Sequence, residues 1–114
     1  MRVLVCGSRH FNDYELLEDV LKQYDIRRII HGAARGADSM AARYGEEHGI
    51  TVEAYPANWA EHGGAAGPIR NVAMLKGGNP DMVVAFLAPN SKGTKHMIEI
   101  SQKAGIPVEI VNIE

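Results

Sequence analysis

The sequence has one cysteine, Cys6, and few aromatic residues, which make up 6% of its 114 positions. A single thiol cannot close an intramolecular disulfide, so a disulfide-stapled secreted scaffold is excluded. No apolar run approaches the roughly 20 residues that a membrane-spanning helix needs, and the amino terminus enters a strand pattern without the features of a signal peptide. We therefore expect a cytoplasmic protein with no membrane partner.

An excess of charge of one sign is also missing, because 12 Lys and Arg against 14 Asp and Glu give a formal net charge of −2. Proteins that bind nucleic acid through its phosphates usually carry a basic surplus, so this balance disfavours nucleic acid as a partner. The five histidines are scattered and no Cys-x-x-Cys pair occurs, which argues against a metal site. The P-loop pattern and a G-x-G-x-x-G after the first strand are absent, so no ATP or NAD cofactor is indicated.

Short β-rich apolar runs alternate along the chain with stretches of helical periodicity. The runs are RVLVC (2–6), RRIIH (27–31), TVEAY (51–55), DMVVAF (81–86) and IPVEIV (106–111). This alternation predicts a single α/β domain over residues 1–114, a Rossmann-like three-layer sandwich with a parallel five-stranded sheet. Four helices are predicted between the strands, over about Asn12–Tyr24, Asp38–His48, Gly67–Gly78 and Thr94–Ala104.

Two details of the connections bear on the site. Asn12 and Glu15 match a capping box at the start of the first helix. The segment PANWAEHGGAAG (56–67) is long for a connection in such a fold. Two interpretations of it stay open: a lid or binding loop, and a solvated excursion whose Trp59 folds onto the core.

Glycine, hydroxyl and arginine residues concentrate directly after the first, second and fourth predicted strands. In an open parallel sheet, ligands bind outside the carboxyl ends of the strands. Glycine lets the backbone approach a ligand, helix amino termini offer unpaired N–H donors, and guanidinium groups clamp anions. Each glycine alone also fits an ordinary turn, but together the three corners predict an anion site, most plausibly for phosphate, formed by Gly7, Ser8, Arg9, Gly32, Arg35, Gly36, Gly93 and Thr94.

Three further residues, Arg70, Asn71 and Asp38, fit both a ligand-binding and a purely structural interpretation. Arg70 and Asn71 fall in the first turn of the predicted third helix, where a cation opposes the helix dipole unless an anion lies nearby. A ligand contact, a solvent-exposed arginine and an ion pair with Asp38 are all compatible with that position. Asp38 either caps its own helix, or orients Arg35 or binds a ribose hydroxyl. No base and orienting group accompany Ser8 or Cys6, so a hydrolase triad is not indicated.

Four segments together resemble the SLOG superfamily, and specifically its YspA-like, cpYpsA-related (YAcAr) branch. They are GSRHFND (7–13), HGAARGADSMAARYG (31–45), GPIRNVAML (67–75) and VVAFLAPNSKGT (83–94), and they occur in the family's order over essentially the whole chain. The resemblance implies a Rossmann-like domain that holds a nucleotide or nucleotide-derived small molecule. The implied ligand-binding residues are Gly7, Ser8, Arg9, Gly32, Arg35, Gly36, Asp38, Arg70, Asn71, Gly93 and Thr94.

The superfamily includes the lonely-guy phosphoribohydrolases and, more distantly, the DNA-processing protein DprA, and many relatives are homo-oligomers, which we also expect here. The chain departs from the lonely-guy pattern P-G-G-x-G-T-x-x-E, because Met97 stands where the catalytic glutamate belongs. Glu99 lies two residues later, which on a helix points in another direction. The leading hypothesis is a stand-alone sensor or sequestering domain. The alternative is a nucleoside 5′-monophosphate phosphoribohydrolase with Arg70 positioning the ribose-phosphate and Glu99 or Asp38 as acid or base.

Overall fold

The computed structural model describes residues 1–113, so that Glu114 of the predicted 1–114 domain lies outside the described residues. Strands and helices alternate along this part of the chain, and each predicted strand is present with its ends displaced by at most two residues. The elements are β1 (Arg2–Gly7), α1 (Tyr14–Leu21), β2 (Arg28–His31), α2 (Ala37–Glu47), β3 (Thr51–Ala54), α3 (Trp59–His62), a 3-10 turn (Gly63–Ala65), α4 (Ala66–Gly78), β4 (Met82–Leu87), α5 (Lys92–Lys103) and β5 (Val108–Asn112).

The sheet has the strand order β3-β2-β1-β4-β5, and every neighbouring pair is parallel. Leu4 of β1 is in register with Ile30 on one side and with Val83 on the other. The predicted Rossmann-like α/β fold is therefore confirmed. The order reverses between β1 and β4, and crevices at such switch points are where open α/β sheets bind ligands.

Two hydrophobic layers enclose the sheet, because successive side chains of a strand point to opposite faces. Val3 and Val5 of β1 pack with the buried residues of α1 and α2 on one face. Leu4 and Cys6 pack with α4 and α5 on the other face, where Met97 is wholly buried. Each such fully buried aliphatic side chain contributes roughly 1.5–3 kcal/mol. Within residues 1–113, no helix is long and apolar enough to cross a bilayer.

The amino terminus of α1 differs from the prediction. Asp13 caps this helix through its carboxylate, which accepts a hydrogen bond from the Leu16 N–H at 3.1 Å, so the predicted Asn12–Glu15 capping box is wrong. Asp and Asn are comparable caps, and the choice between adjacent residues depends on which helix phase buries Leu17 and its neighbours against the sheet.

The 56–67 segment contains a helix that the sequence pattern did not predict. Asn58 organises α3, because its Oδ1 accepts the Glu61 N–H at 3.1 Å and its Nδ2 donates to Glu61 Oε2 at 3.0 Å. Trp59 is 54% exposed, so the interpretation in which it folds onto the core is wrong.

Helices α4 and α5 also begin earlier than predicted. Helix α4 starts at Ala66, which places Arg70 in its second turn rather than its first. Helix α5 starts at Lys92, two residues before the predicted Thr94, so Gly93 lies inside its first turn. Helix α4 ends at Gly78, as predicted, and the left-handed residue after it is Asn79 with φ +46°.

Candidate functional site

A cleft of about 1060 Å³ opens beyond the carboxyl ends of β1 and β4, where the strand order reverses. Small-molecule sites typically measure roughly 300–1,000 Å³, so the cleft has room for a ligand of nucleotide size. Its walls come from the loop after β1, the first turns of α4 and α5, and the 56–67 segment. Eight of the predicted site residues line it: Gly7, Ser8, Arg9, Asp38, Arg70, Asn71, Gly93 and Thr94.

The corner after β1 is held by backbone hydrogen bonds to β4 and to the start of α2. The Ser8 N–H donates to Phe86 O at 3.0 Å, and Ser8 O accepts from the Ala37 N–H at 3.3 Å. A Cβ on Gly7 would lie 2.7 Å from Ala37 Cβ and 2.8 Å from Phe86 O, closer than real Cβ contacts. Gly7 is therefore required by packing. The Ser8 hydroxyl accepts from the His10 N–H at 3.1 Å, which leaves its own proton available for a ligand.

The corner after β2 contains the three predicted residues that do not line the cleft, Gly32, Arg35 and Gly36. Gly36 has φ +71°, and a Cβ on it would collide with the backbone of Ser8 and Arg9. Arg35 is exposed outside the cleft. This corner thus supports the site through packing, with Gly36 holding the loop against the β1 corner.

Asp38 lines the cleft, and only 5% of its surface is exposed. Its Oδ2 accepts hydrogen bonds from the Gly32 N–H at 2.9 Å and the Ala34 N–H at 3.3 Å. The N-cap of α2 is Gly36, so Asp38 fastens the preceding loop and does not cap its own helix, contrary to the capping interpretation. Burial raises the pKa of Asp38, although the two backbone N–H groups and nearby Arg70 partly offset that effect.

Arg70 joins the loop after β2 to the end of β3. Its Nη1 donates to Gly32 O and, at 3.4 Å, to Tyr55 O, while its Nε donates to Asn71 Oδ1 at 3.0 Å. A Cβ on Gly32 would lie 2.5 Å from Nη1, so glycine leaves room for the guanidinium. Within residues 1–113 Arg70 forms no ion pair with Asp38.

Asn71 links Arg70 to the corner after β4. This residue is buried, and its Nδ2 donates to Gly93 O at 3.2 Å and lies 3.2 Å from His96 Nδ1. The side-chain amide is thereby shared between a cation of α4 and the first turn of α5. Arg70 and Asn71 therefore connect the corners after β2 and β4 and the end of β3, as well as lining the cleft.

The amino terminus of α5 presents unused donors to the cleft. Among the described residues, the N–H groups of Gly93 and Thr94 have no hydrogen-bond acceptor, as expected in a first helical turn. Thr94 is only 5% exposed, and its hydroxyl makes no hydrogen bond within residues 1–113. Because no fully buried polar side-chain atom of these residues lacks a partner, the hydroxyl reaches the accessible surface of the cleft. A Cβ on Gly93 would meet nothing within 4 Å, so this backbone borders open space.

The charges lining the cleft are unlike those of the whole chain. Arg9, Lys92 and Arg70 bring three cations to it, whereas Asp38 is the one carboxylate among the lining residues. The cleft is therefore electropositive although the formal net charge is −2. Sequence reasoning did not assign His10, Trp59, Lys92 or His96 to the site; the unusual length of the 56–67 segment was the signal for Trp59.

Three residues considered for catalysis, Met97, Glu99 and Cys6, lie outside the cleft or are unsuited to the role. Met97 is wholly buried in the core, and Glu99 is exposed on α5, where it accepts a hydrogen bond from Lys103 Nζ at 3.1 Å. Cys6 borders the cleft, but burial raises its thiol pKa far above the usual range, so it stays protonated. No cluster of three or more His, Cys, Asp or Glu side chains suited to a metal occurs in residues 1–113.

The strand order, the two helical layers and the cleft at the switch point define a Rossmann-like α/β domain. The chain belongs to the YspA, cpYpsA-related SLOG family (YAcAr), whose family model matches residues 1–62. The resemblance drawn from the sequence motifs is thus confirmed. The two motifs beyond residue 62, around Arg70 and Gly93, lie outside the part that the model matches.

Two proteins are similar over almost the whole chain. The Gene 61 protein of Mycobacterium phage D29 is 39% identical over 118 aligned residues, which cover 94% of this chain and 93% of that protein. The X-ray structure of DNA processing protein A (DprA) from Streptococcus pneumoniae superimposes with a TM-score of 0.78 at 17% identity. That match covers 96% of this chain and 49% of the DprA chain, so this chain spans about half the length of DprA. At such low identity the likeness shows the fold alone.

Proposed function

We propose that this chain binds a nucleotide or nucleotide-derived small molecule in the cleft and acts as a stand-alone sensor or sequestering domain. The observation that carries the proposal is the set of unpaired donors at the start of α5, the N–H groups of Gly93 and Thr94 with the Thr94 hydroxyl. Donors of this kind, at the positive end of a helix dipole, suit a phosphate group.

Two further features support an anionic ligand. Arg9 and Lys92 stand at the rim as exposed cations, and each can form a charge-assisted hydrogen bond to phosphate oxygens. The Ser8 hydroxyl adds a donor from the corner after β1. Such bonds to charged groups contribute roughly 1.5–3 kcal/mol each.

The first experiment identifies the ligand without assuming it. Protein purified under native conditions is denatured, and the released small molecules are analysed by mass spectrometry; we expect a nucleotide or a derivative of one. Isothermal calorimetry with the nucleoside 5′-monophosphates and ADP-ribose then measures affinity. The proposal fails if nothing is retained and no member of the panel binds.

A matched pair of variants tests the position of the phosphate. Arg9 and Arg35 are both exposed arginines near the same edge of the sheet, but only Arg9 lines the cleft. Arg9→Ala should weaken nucleotide binding by about tenfold, the lower end for a lost charge-assisted hydrogen bond. Arg35→Ala should leave it unchanged. Equal losses in both variants would point to general electrostatic attraction and contradict the placement.

Phosphoribohydrolase activity is the second candidate, and one observation keeps it open. Asp38 is a buried carboxylate that lines the cleft and has a raised pKa, a combination found in general acids. The capacity of Asp38 to act as an acid or a base is limited, however, because its Oδ2 already accepts two backbone hydrogen bonds. We expect no base release from AMP above background. Catalytic release that is lost in Arg70→Ala would replace the sensor proposal with the enzyme.

The homo-oligomer and the cytoplasmic location remain predictions. Ile69 and Val72 are 45% and 39% exposed on α4, which supplies an apolar surface of the kind used between subunits. The structural neighbour DprA is a DNA processing protein. The balanced charge of this chain offers little support for a nucleic-acid partner here.

A further inference from the structure

Trp59 has the greatest exposure among the large apolar side chains of residues 1–113, with 54% of its surface accessible. Tryptophan is on average a highly buried residue, since its ring is the largest apolar group that proteins have to remove from water. Here the ring borders the cleft, in the wall formed with Gly64, Gly67 and Pro68. An aromatic surface is thus left open in the same cleft as the proposed phosphate site at the start of α5.

Local structure holds the ring in this position. Trp59 is the first residue of α3, whose cap is closed by the reciprocal hydrogen bonds between Asn58 and Glu61. The ring edge rests against α4, because a Cβ on Gly67 would lie 3.4 Å from Trp59 Cη2. The ring thus lies in van der Waals range of the start of α4, beside Pro68 and the cleft.

The other ring systems in the cleft are less suited to stacking. Phe11 lines the cleft but is buried, and its ring already stacks on Phe86 with a centroid distance of 4.8 Å. His10 and His96 have smaller rings, and His96 Nδ1 lies against Asn71. Trp59 is thus the large aromatic ring whose surface is free for a ligand.

We propose that Trp59 is the specificity-determining residue of the cleft and stacks on the planar base of a nucleotide whose phosphate is held at the start of α5. The inference rests on the proposed function and deepens it. In this arrangement the phosphate oxygens accept hydrogen bonds from the N–H groups of Gly93 and Thr94, and the base stacks on the indole of Trp59. A sugar phosphate without a base uses only the first of these contacts.

The test separates the two ends of the ligand. Calorimetry compares the tightest-binding nucleoside 5′-monophosphate with ribose 5-phosphate, on the wild-type protein and on Trp59→Ala. Losing one base–aromatic stack should weaken nucleotide binding by roughly ten- to hundredfold. Affinity for ribose 5-phosphate should stay within about twofold, because the stack contributes nothing to it. Trp59→Phe, which keeps a ring, should recover part of the loss.

Fluorescence provides a direct readout, because Trp59 is the sole tryptophan of the chain. Stacking of a base should change its emission, whereas ribose 5-phosphate should not. The exposure of Trp59 means that Trp59→Ala should keep the fold, and circular dichroism checks this.

Each remaining outcome has a definite meaning. If nucleotides bind the wild type but Trp59→Ala binds them equally tightly, or loses ribose 5-phosphate to the same degree, the role of Trp59 is overturned while the proposed function stands. If ribose 5-phosphate matches every nucleotide on the wild type, the base is not recognised and the inference fails. If neither class of compound binds, the proposed function fails and the inference with it.

Discussion

Replacing Gly7 with alanine tests whether this glycine serves packing rather than ligand approach. The added Cβ would lie 2.7 Å from Ala37 Cβ, and 2.8 Å from both Cβ and O of Phe86. Optimal contacts between such atoms are about 3.5–4.0 Å, so the added Cβ would be roughly 1 Å too close to three atoms of two residues. All three atoms belong to, or are bonded to, the backbone of α2 or β4, and no flexible side-chain end can move aside.

The expected cost is at the upper end for overpacking, about 3 kcal/mol, out of a total stability of roughly 5–15 kcal/mol for a domain of this kind. Urea unfolding followed by circular dichroism measures this cost, and the melting temperature should fall by more than 10 °C, taking about 4 °C or more per kcal/mol.

Gly93 provides the matched control, because a Cβ there would meet nothing within 4 Å. The free energy of unfolding of Gly93→Val should be within about 1 kcal/mol of the wild-type value, since the position is in a helical turn with open space beside it. It should nevertheless abolish nucleotide binding, because the side chain occupies the space in front of the Gly93 and Thr94 donors. A loss below about 1 kcal/mol in Gly7→Ala, or unchanged nucleotide affinity in Gly93→Val, would refute this separation of roles.

Three further predictions concern stability and assembly. Gly49→Ala should lower the free energy of unfolding by about 1 kcal/mol, because Gly49 has φ +65°. No atom lies near its Cβ position, so urea unfolding measures the conformational cost without a steric contribution. Partial burial raises the pKa of Glu53, but hydrogen bonds and attraction from Arg28 and Arg2 outweigh it and lower that pKa. The folded state therefore binds fewer protons than the unfolded state, so the stabilisation is complete above the ordinary glutamate pKa and is lost as pH falls through the lowered one. In Glu53→Gln the free energy of unfolding should fall less steeply with decreasing pH than in the wild type. An identical pH dependence in the two proteins would contradict this role of Glu53. Light scattering at micromolar concentration should show a homo-oligomer, and a clean monomer would contradict that prediction.

The amino-acid sequence alone was sufficient to predict the fold, and it indicated the edge of the sheet where the candidate site lies. Apolar runs and helical periodicities are local properties, and their strict alternation leaves a parallel sheet with crossover helices as the consistent arrangement. The motifs around Ser8 and Thr94 follow strands, and carboxyl ends of parallel strands share one edge of a sheet. The sequence therefore predicts that both residues lie at one edge of the sheet, and both line the cleft.

Only the tertiary structure decided which of these residues border the cleft and which serve packing. Gly36 and Arg35 share a motif with Asp38, yet only Asp38 reaches the cleft, because the left-handed turn at Gly36 packs the loop against the backbone of Ser8 and Arg9. Contacts of this kind join residues far apart in the chain, so no local pattern reports them. The same holds for Trp59, whose exposed ring lies beside Gly67 of α4 and borders the cleft.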